Sequence, residues 1–233
     1  CRSSRTSKEM LSAMLDRPKA GDYADFFQGY INRVPECDVL ALLPEQCARM
    51  QRLLRDCDDQ QGDYSYAAGK WSIKRVLLHI ADGERMFCYR AMCIARGDQQ
   101  PLPTFDENAY AANDGSDHRT LTGIVEEYAS VRAATVTLFA GFDAGAWAPR
   151  GTANGYPVTT ATMPWIIAGH DLSRVQKACA AWGSYLVVPP WASTEDGSPV
   201  IALGKLNLAF YIFLCQRLVS MIFYGYLYET ANI

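Results

Sequence analysis

Apolar residues recur at helical spacing in four separate stretches of this chain. From about 38 to 57, Leu40, Leu43, Cys47, Met50, Leu53 and Leu54 fall at intervals of three and four. From Trp71 to Arg96, one stripe holds Ile73, Leu77, Ile80, Phe87, Ala91 and Ile94; Ser72 can cap its start and Gly97 can end it. Residues 119–142 carry Leu121, Ile124, Val125, Tyr128, Val131, Val136, Leu138 and Phe139. A fourth run extends from Val158 to about Ala180. A shorter amphipathic segment, DYADFFQGYINR (22–33), precedes them. No stretch alternates with the period of two that a half-buried strand needs, so the pattern predicts an all-α four-helix bundle. The connections 98–118 and 143–158 read as long loops. A loop that long is often functional or wraps a surface.

The two ends break the pattern. Residues 1–17 are polar and are expected to fray, which leaves 18–180 as the bundle and 181–233 as an atypical C-terminal extension. Within the extension, LAFYIFLCQRLVSMIFYGYLY (208–228) is long enough to span a bilayer. Gln216 and Arg217 at its centre cancel most of the gain from inserting its apolar residues, so a docked helix is the expectation.

Composition adds limits. Of 233 residues, 49% are hydrophobic and 20% charged, ordinary globular usage. The net charge of −3 excludes a broad nucleic-acid-binding surface. Eight cysteines contain no CxxC pair, which points to reduced thiols and a cytoplasmic setting.

Only two of the three histidines sit in apolar helical runs: His79 in KRVLLHIADGER and His170 in PWIIAGHDLSR. A histidine in such a run is either a core residue satisfied by a hydrogen bond or a metal ligand. Asp82 and Glu84 follow His79 within about one turn. Each either pairs with an arginine such as Arg85, Arg90 or Arg132, or orients a ligand histidine from behind. Asp171 lies about 100° around the helix from His170 and cannot share its aim.

Several segments resemble the DinB family. They are YAAGKWSIKRVLLHIADGERMFCYRAMCIARGDQQPLPTFDENAY (66–110), RVPECDVLALLPEQ (33–46), GTANG (151–155) and IIAGHD (166–171). The resemblance covers about 17 to 172. It implies a four-helix bundle of up-down-down-up type holding a divalent metal (zinc, nickel or iron) near one end. It further implies a metal-dependent hydrolase or thiol S-transferase, with a small-molecule substrate such as a low-molecular-weight thiol, and a homodimer. Three ligands are implied, one histidine on the second helix and a His-x-x-x-His pair on the fourth. Here they fall on His79, His170 and position 174. This chain departs at the last of them. It reads GHDLSR, so the third position is Arg174, which stays protonated and offers no lone pair. Arg174 can take the metal's place and pair with Glu84 or Asp82, or it can turn outward. A reading-frame shift near codon 173, or a divergent paralogue with a new C-terminus, accounts for the lost ligand and the unfamiliar tail together. The alternative to the enzyme is therefore a metal-free bundle with a binding or stress-associated role.

Overall fold

The computed structural model describes residues 15–65 and 67–182, with side chains through 175. The chain separates into two units, 1–176 and 177–233. The predicted segment 208–228 lies outside the described residues.

Four long helices form in the expected places: α1 (Val39–Leu54), α2 (Ile73–Ala95), α3 (Leu121–Ala140) and α4 (Met163–Trp182). The first three start on side-chain caps. Asp38 accepts from the Leu40 and Ala41 amides, Ser72 from Arg75 and Thr120 from Gly123. Each cap satisfies amides that the first turn would otherwise leave without partners. The 22–33 segment splits into a 3₁₀ turn (Asp25–Phe27) and one α-helical turn (Gln28–Ile31).

Side-chain contacts fix the helix directions. Glu84 and Cys88 of α2 meet Arg132 and Thr135 of α3 in the same order, so these neighbours run parallel. His79 and Phe87 of α2 meet α4 at His170, while Phe87 and Arg90 share a pocket with Met163 and Ile166, so α2 and α4 run antiparallel. Parallel neighbours need a connection that travels back along the bundle. α2 is 23 residues long, roughly 35 Å at 1.5 Å per residue. That distance explains the length of the 96–120 connection. It is not structureless: it holds a short helix (Glu107–Ala112) and a 3₁₀ turn (Ser116–His118).

The expectation of no strands is corrected between α3 and α4. Strands β1 (Arg150–Ala153) and β2 (Tyr156–Thr159) pair antiparallel, with Ala153 opposite Tyr156. The link is Asn154-Gly155, both at positive φ (54° and 77°). Asn-Gly is the strongest short hairpin signal because both residues tolerate that region. Val158 therefore belongs to β2, and α4 begins five residues later than the apolar spacing predicts.

An apolar core among the described residues joins the Phe87–Ile94 half of α2 to the Met163–Ala168 half of α4. Leu43, Phe139 and Val158 close it. Gly169 admits the N-terminal segment: a Cβ there would lie 2.2 Å from the Tyr30 carbonyl oxygen, so only glycine fits this approach.

Candidate functional site

At one end of the bundle, α2 and α4 bring the two predicted histidines together. His79 Nε2 lies 2.9 Å from His170 Nε2, and both residues are buried. The pair is walled by aromatics. Trp71 lies 4.9 Å from the His79 ring centroid, Tyr30 lies 5.4 Å from that of His170, and Phe87 lies 6.1 Å from it. Gly83 leaves room for the His170 ring, since a Cβ there would come within 3.2 Å of it.

Arg174, one turn after His170, points into this end rather than outward. Its Nε donates to His170 Nε2 at 3.3 Å, and its guanidinium lies 5.7 Å from the Trp71 ring centroid. Its Nη2 donates to Glu107 Oε2 at 3.0 Å. Glu107 Oε2 also lies 3.7 Å from His79 Nε2. The expected partners of Arg174 were Asp82 or Glu84, and the structure supplies Glu107 instead. Periodicity could not find Glu107, because it sits in the long connection. The one signal was that this connection is too long to be idle.

These contacts fix the protons. An arginine only donates, so His170 Nε2 accepts and His79 Nε2–H supplies the hydrogen of the 2.9 Å contact. Burial, and secondarily the Arg174 charge, lower the His79 pKa to about 3. Its imidazole is therefore neutral at physiological pH, and so low a pKa makes it a weak general base.

Asp82 and Glu84 go to arginines. Asp82 pairs with Arg85 at 3.0 Å near the surface. Glu84 lies at the centre of a buried network. Arg132 Nε donates to its Oε1 at 2.8 Å, Arg132 Nη2 donates to its Oε2 at 2.9 Å, and Thr135 donates to Oε1 at 2.6 Å. The same Nη2 donates to Asp171 Oδ2 at 2.9 Å, and Tyr128 donates to that oxygen at 2.6 Å. Arg132 Nη1 donates to the Leu43 carbonyl at 2.6 Å. Burial acts to lower the Arg132 pKa; Tyr128, Glu84 and Asp171 outweigh it and raise it, so the guanidinium stays charged. Tyr128 is pushed well above its usual value by burial and by the Asp171 charge. Asp171 thus looks away from the histidines, as its place around the helix requires. His118 lies exposed in its 3₁₀ turn, and the described cysteines 37, 47, 57, 88 and 93 are free thiols.

The sequence matches the DinB superfamily over residues 43–176. The chain belongs to the DinB superfamily. No curated protein matches it. Among solved structures, YfiT from Bacillus subtilis, described as a probable metal-dependent hydrolase with an unusual four-helix bundle topology, aligns with a TM-score of 0.52 at 15% identity; the alignment covers 72% of this chain and 94% of that one. A mycothiol-dependent maleylpyruvate isomerase aligns with a TM-score of 0.51 at 17% identity, covering 62% of this chain and 61% of the isomerase. At these identities the likeness shows the DinB-like bundle and no more.

The donors as arranged do not fit a divalent cation. Both Nε2 atoms are engaged, one donating and one accepting, and a fixed positive charge lies 3.3 Å from the second. Among the described residues no group of three or more His, Cys, Asp or Glu side chains is placed to hold a metal. Also among them, no helix is long and apolar enough to cross a membrane.

Proposed function

We propose that this protein is a DinB-superfamily bundle whose small-molecule end works without a metal, as a binding module in which the Arg174 guanidinium supplies the positive charge. The observation that carries this reading is the contact of Arg174 with both His170 and Glu107. Arg174 satisfies the His170 lone pair that a metal would need, and Glu107 balances its charge. The low pKa of His79 speaks for binding over proton transfer. The ligand is a small polar molecule that enters beside Glu107, which is half exposed.

One observation favours a second reading. His79 and His170 converge on one point, as two ligands of a metal-dependent hydrolase or thiol S-transferase would. In that reading Arg174 turns outward, a divalent metal such as zinc, nickel or iron binds, and the substrate is a low-molecular-weight thiol or a hydrolysable small molecule. Elemental analysis of the purified protein beside Arg174→His separates the two. Metal absent from the unchanged protein and present near one per chain in the variant supports the metal-free module on an intact scaffold. About one metal per chain in the unchanged protein overturns it in favour of the enzyme. Metal in neither removes the ligand roles of His79 and His170.

A further inference from the structure

Three cationic side chains are buried among the described residues: Lys74, Arg90 and Arg132. Two of them are neutralised. Lys74 pairs with Asp59 at 3.4 Å and Asp63 at 2.9 Å, and Arg132 pairs with Glu84 at 2.8 Å and Asp171 at 2.9 Å. Arg90, 5% exposed, has no carboxylate partner among the described residues. Its Nη2 donates to the Pro103 carbonyl at 2.7 Å, which fixes the guanidinium without neutralising it. Its Nε is buried and has no hydrogen-bond partner. The Phe87 ring lies 5.9 Å away, far enough that it attracts the charge only weakly. A buried cation without a counter-ion, with an N–H left idle, is costly to maintain.

Arg90 also borders a small cleft between α2, the hairpin and the start of α4. Phe27, Phe87, Ala153, Val158 and Met163 contribute to its wall, and Arg90 is the one charged side chain in it. The room is about 10 Å³, enough for a single water-sized body, and it is partly open to solvent. A water is a poor occupant. It needs about two to four polar partners, and this wall is mostly carbon. A polyatomic anion is too large for the room. A monatomic anion needs only donors, tolerates the positive edges of aromatic rings, and matches one guanidinium with one negative charge.

We propose that this cleft holds one chloride ion, which accepts from the Arg90 Nε–H and supplies the counter-charge that the protein's own side chains leave out. The ion fits the room as it stands, so no side chain has to move to admit it. It ties α2 to the hairpin and to α4, and chloride concentration thereby tunes the stability of that junction. Neither histidine nor Arg174 belongs to the site, and its occupancy does not depend on whether their end holds metal.

The test is NMR titration of the whole chain with sodium chloride, with sodium gluconate holding the ionic strength constant. The Arg90 Nε–H resonance is expected to shift and to saturate, with half-saturation between about 5 and 100 mM, the range for one charge-assisted hydrogen bond. Smaller shifts are expected at the Ala153 and Val158 methyls. Bromide is expected to reproduce the response, and acetate, which carries the same charge on a larger body, is not. Arg90→Met is expected to remove the resonance together with the methyl response. Ala153→Val, which fills the cleft and leaves Arg90 in place, is expected to keep the resonance and lose its response, and it decides the matter if Arg90→Met fails to fold. Failure of the unchanged protein to respond to chloride would mean that the cleft takes only water and would overturn the proposal. An equal response to acetate, shifts centred on Trp71 and Arg174, or saturation retained in Ala153→Val would overturn it as well.

Discussion

Arg132 and Arg174 both reach carboxylates inside the same bundle, yet their surroundings differ in kind. Arg132 lies at mid-height, 1% exposed, with Glu84, Asp171 and the Leu43 carbonyl around it. Arg174 stands at the end, with two imidazoles on one side and a half-exposed Glu107 on the other. The first is a closed account in which every strong donor has its acceptor. The second keeps one side towards water, where a ligand can compete for its charge. Burial of a charge network therefore marks what holds the helices together, and partial exposure marks where chemistry is free to occur.

Arg132→Met is the most severe way to break this contrast. It strands Glu84 and Asp171 in the interior, and about 3–5 kcal/mol of stability is expected to be lost in denaturant unfolding. Arg174→Met is expected to cost under about 1 kcal/mol, as for a pair with a water-exposed partner. Similar losses for the two variants would erase the distinction.

Acid sharpens the comparison at the imidazole end. The folded pKa of His79, about 3, lies below the 6.5 of an unconstrained histidine, so the unfolded chain takes up the proton first. The contribution of His79 is complete above pH 6.5 and falls as pH drops towards 3, with about 2 kcal/mol gone by pH 5. Proton NMR of the His79 ring should show no inflection between pH 8 and 5; an inflection near 6.5 would contradict the burial argument. Gly169→Ala tests the same end through the backbone. Its Cβ meets the Tyr30 carbonyl, and a loss of about 1–3 kcal/mol is expected in thermal unfolding.

Much of this was legible beforehand, for reasons specific to particular residues. Long apolar stripes, and for α2 the cap Ser72, mark helices locally, so α1, α2 and α3 fall within a few residues of expectation. The His79–His170 meeting followed from a family pattern rather than from spacing. The hairpin was missed although Asn154-Gly155 announces it, because four-residue strands are too short to display alternation. Glu107 was missed because nothing local ties a loop carboxylate to an arginine 67 residues away. Which arginine would claim Glu84 was equally non-local: Arg85 and Arg90 are closer along the chain, and the parallel packing of α2 against α3 selects Arg132.

The central network also sets an order of events on the ribosome. Its second carboxylate, Asp171, comes from the last long helix, as does the Ala168 carbonyl that Gln46 reaches across 122 residues. A nascent chain that has emerged only through α3 holds Tyr128 and Arg132 without Asp171, and Tyr30 without the glycine that receives it. Such a chain exposes the apolar faces of three helices with no means of closing them. The bundle therefore completes in one late step, when α4 emerges, and truncations upstream of residue 171 are expected to give collapsed, sticky intermediates in place of a smaller folded protein.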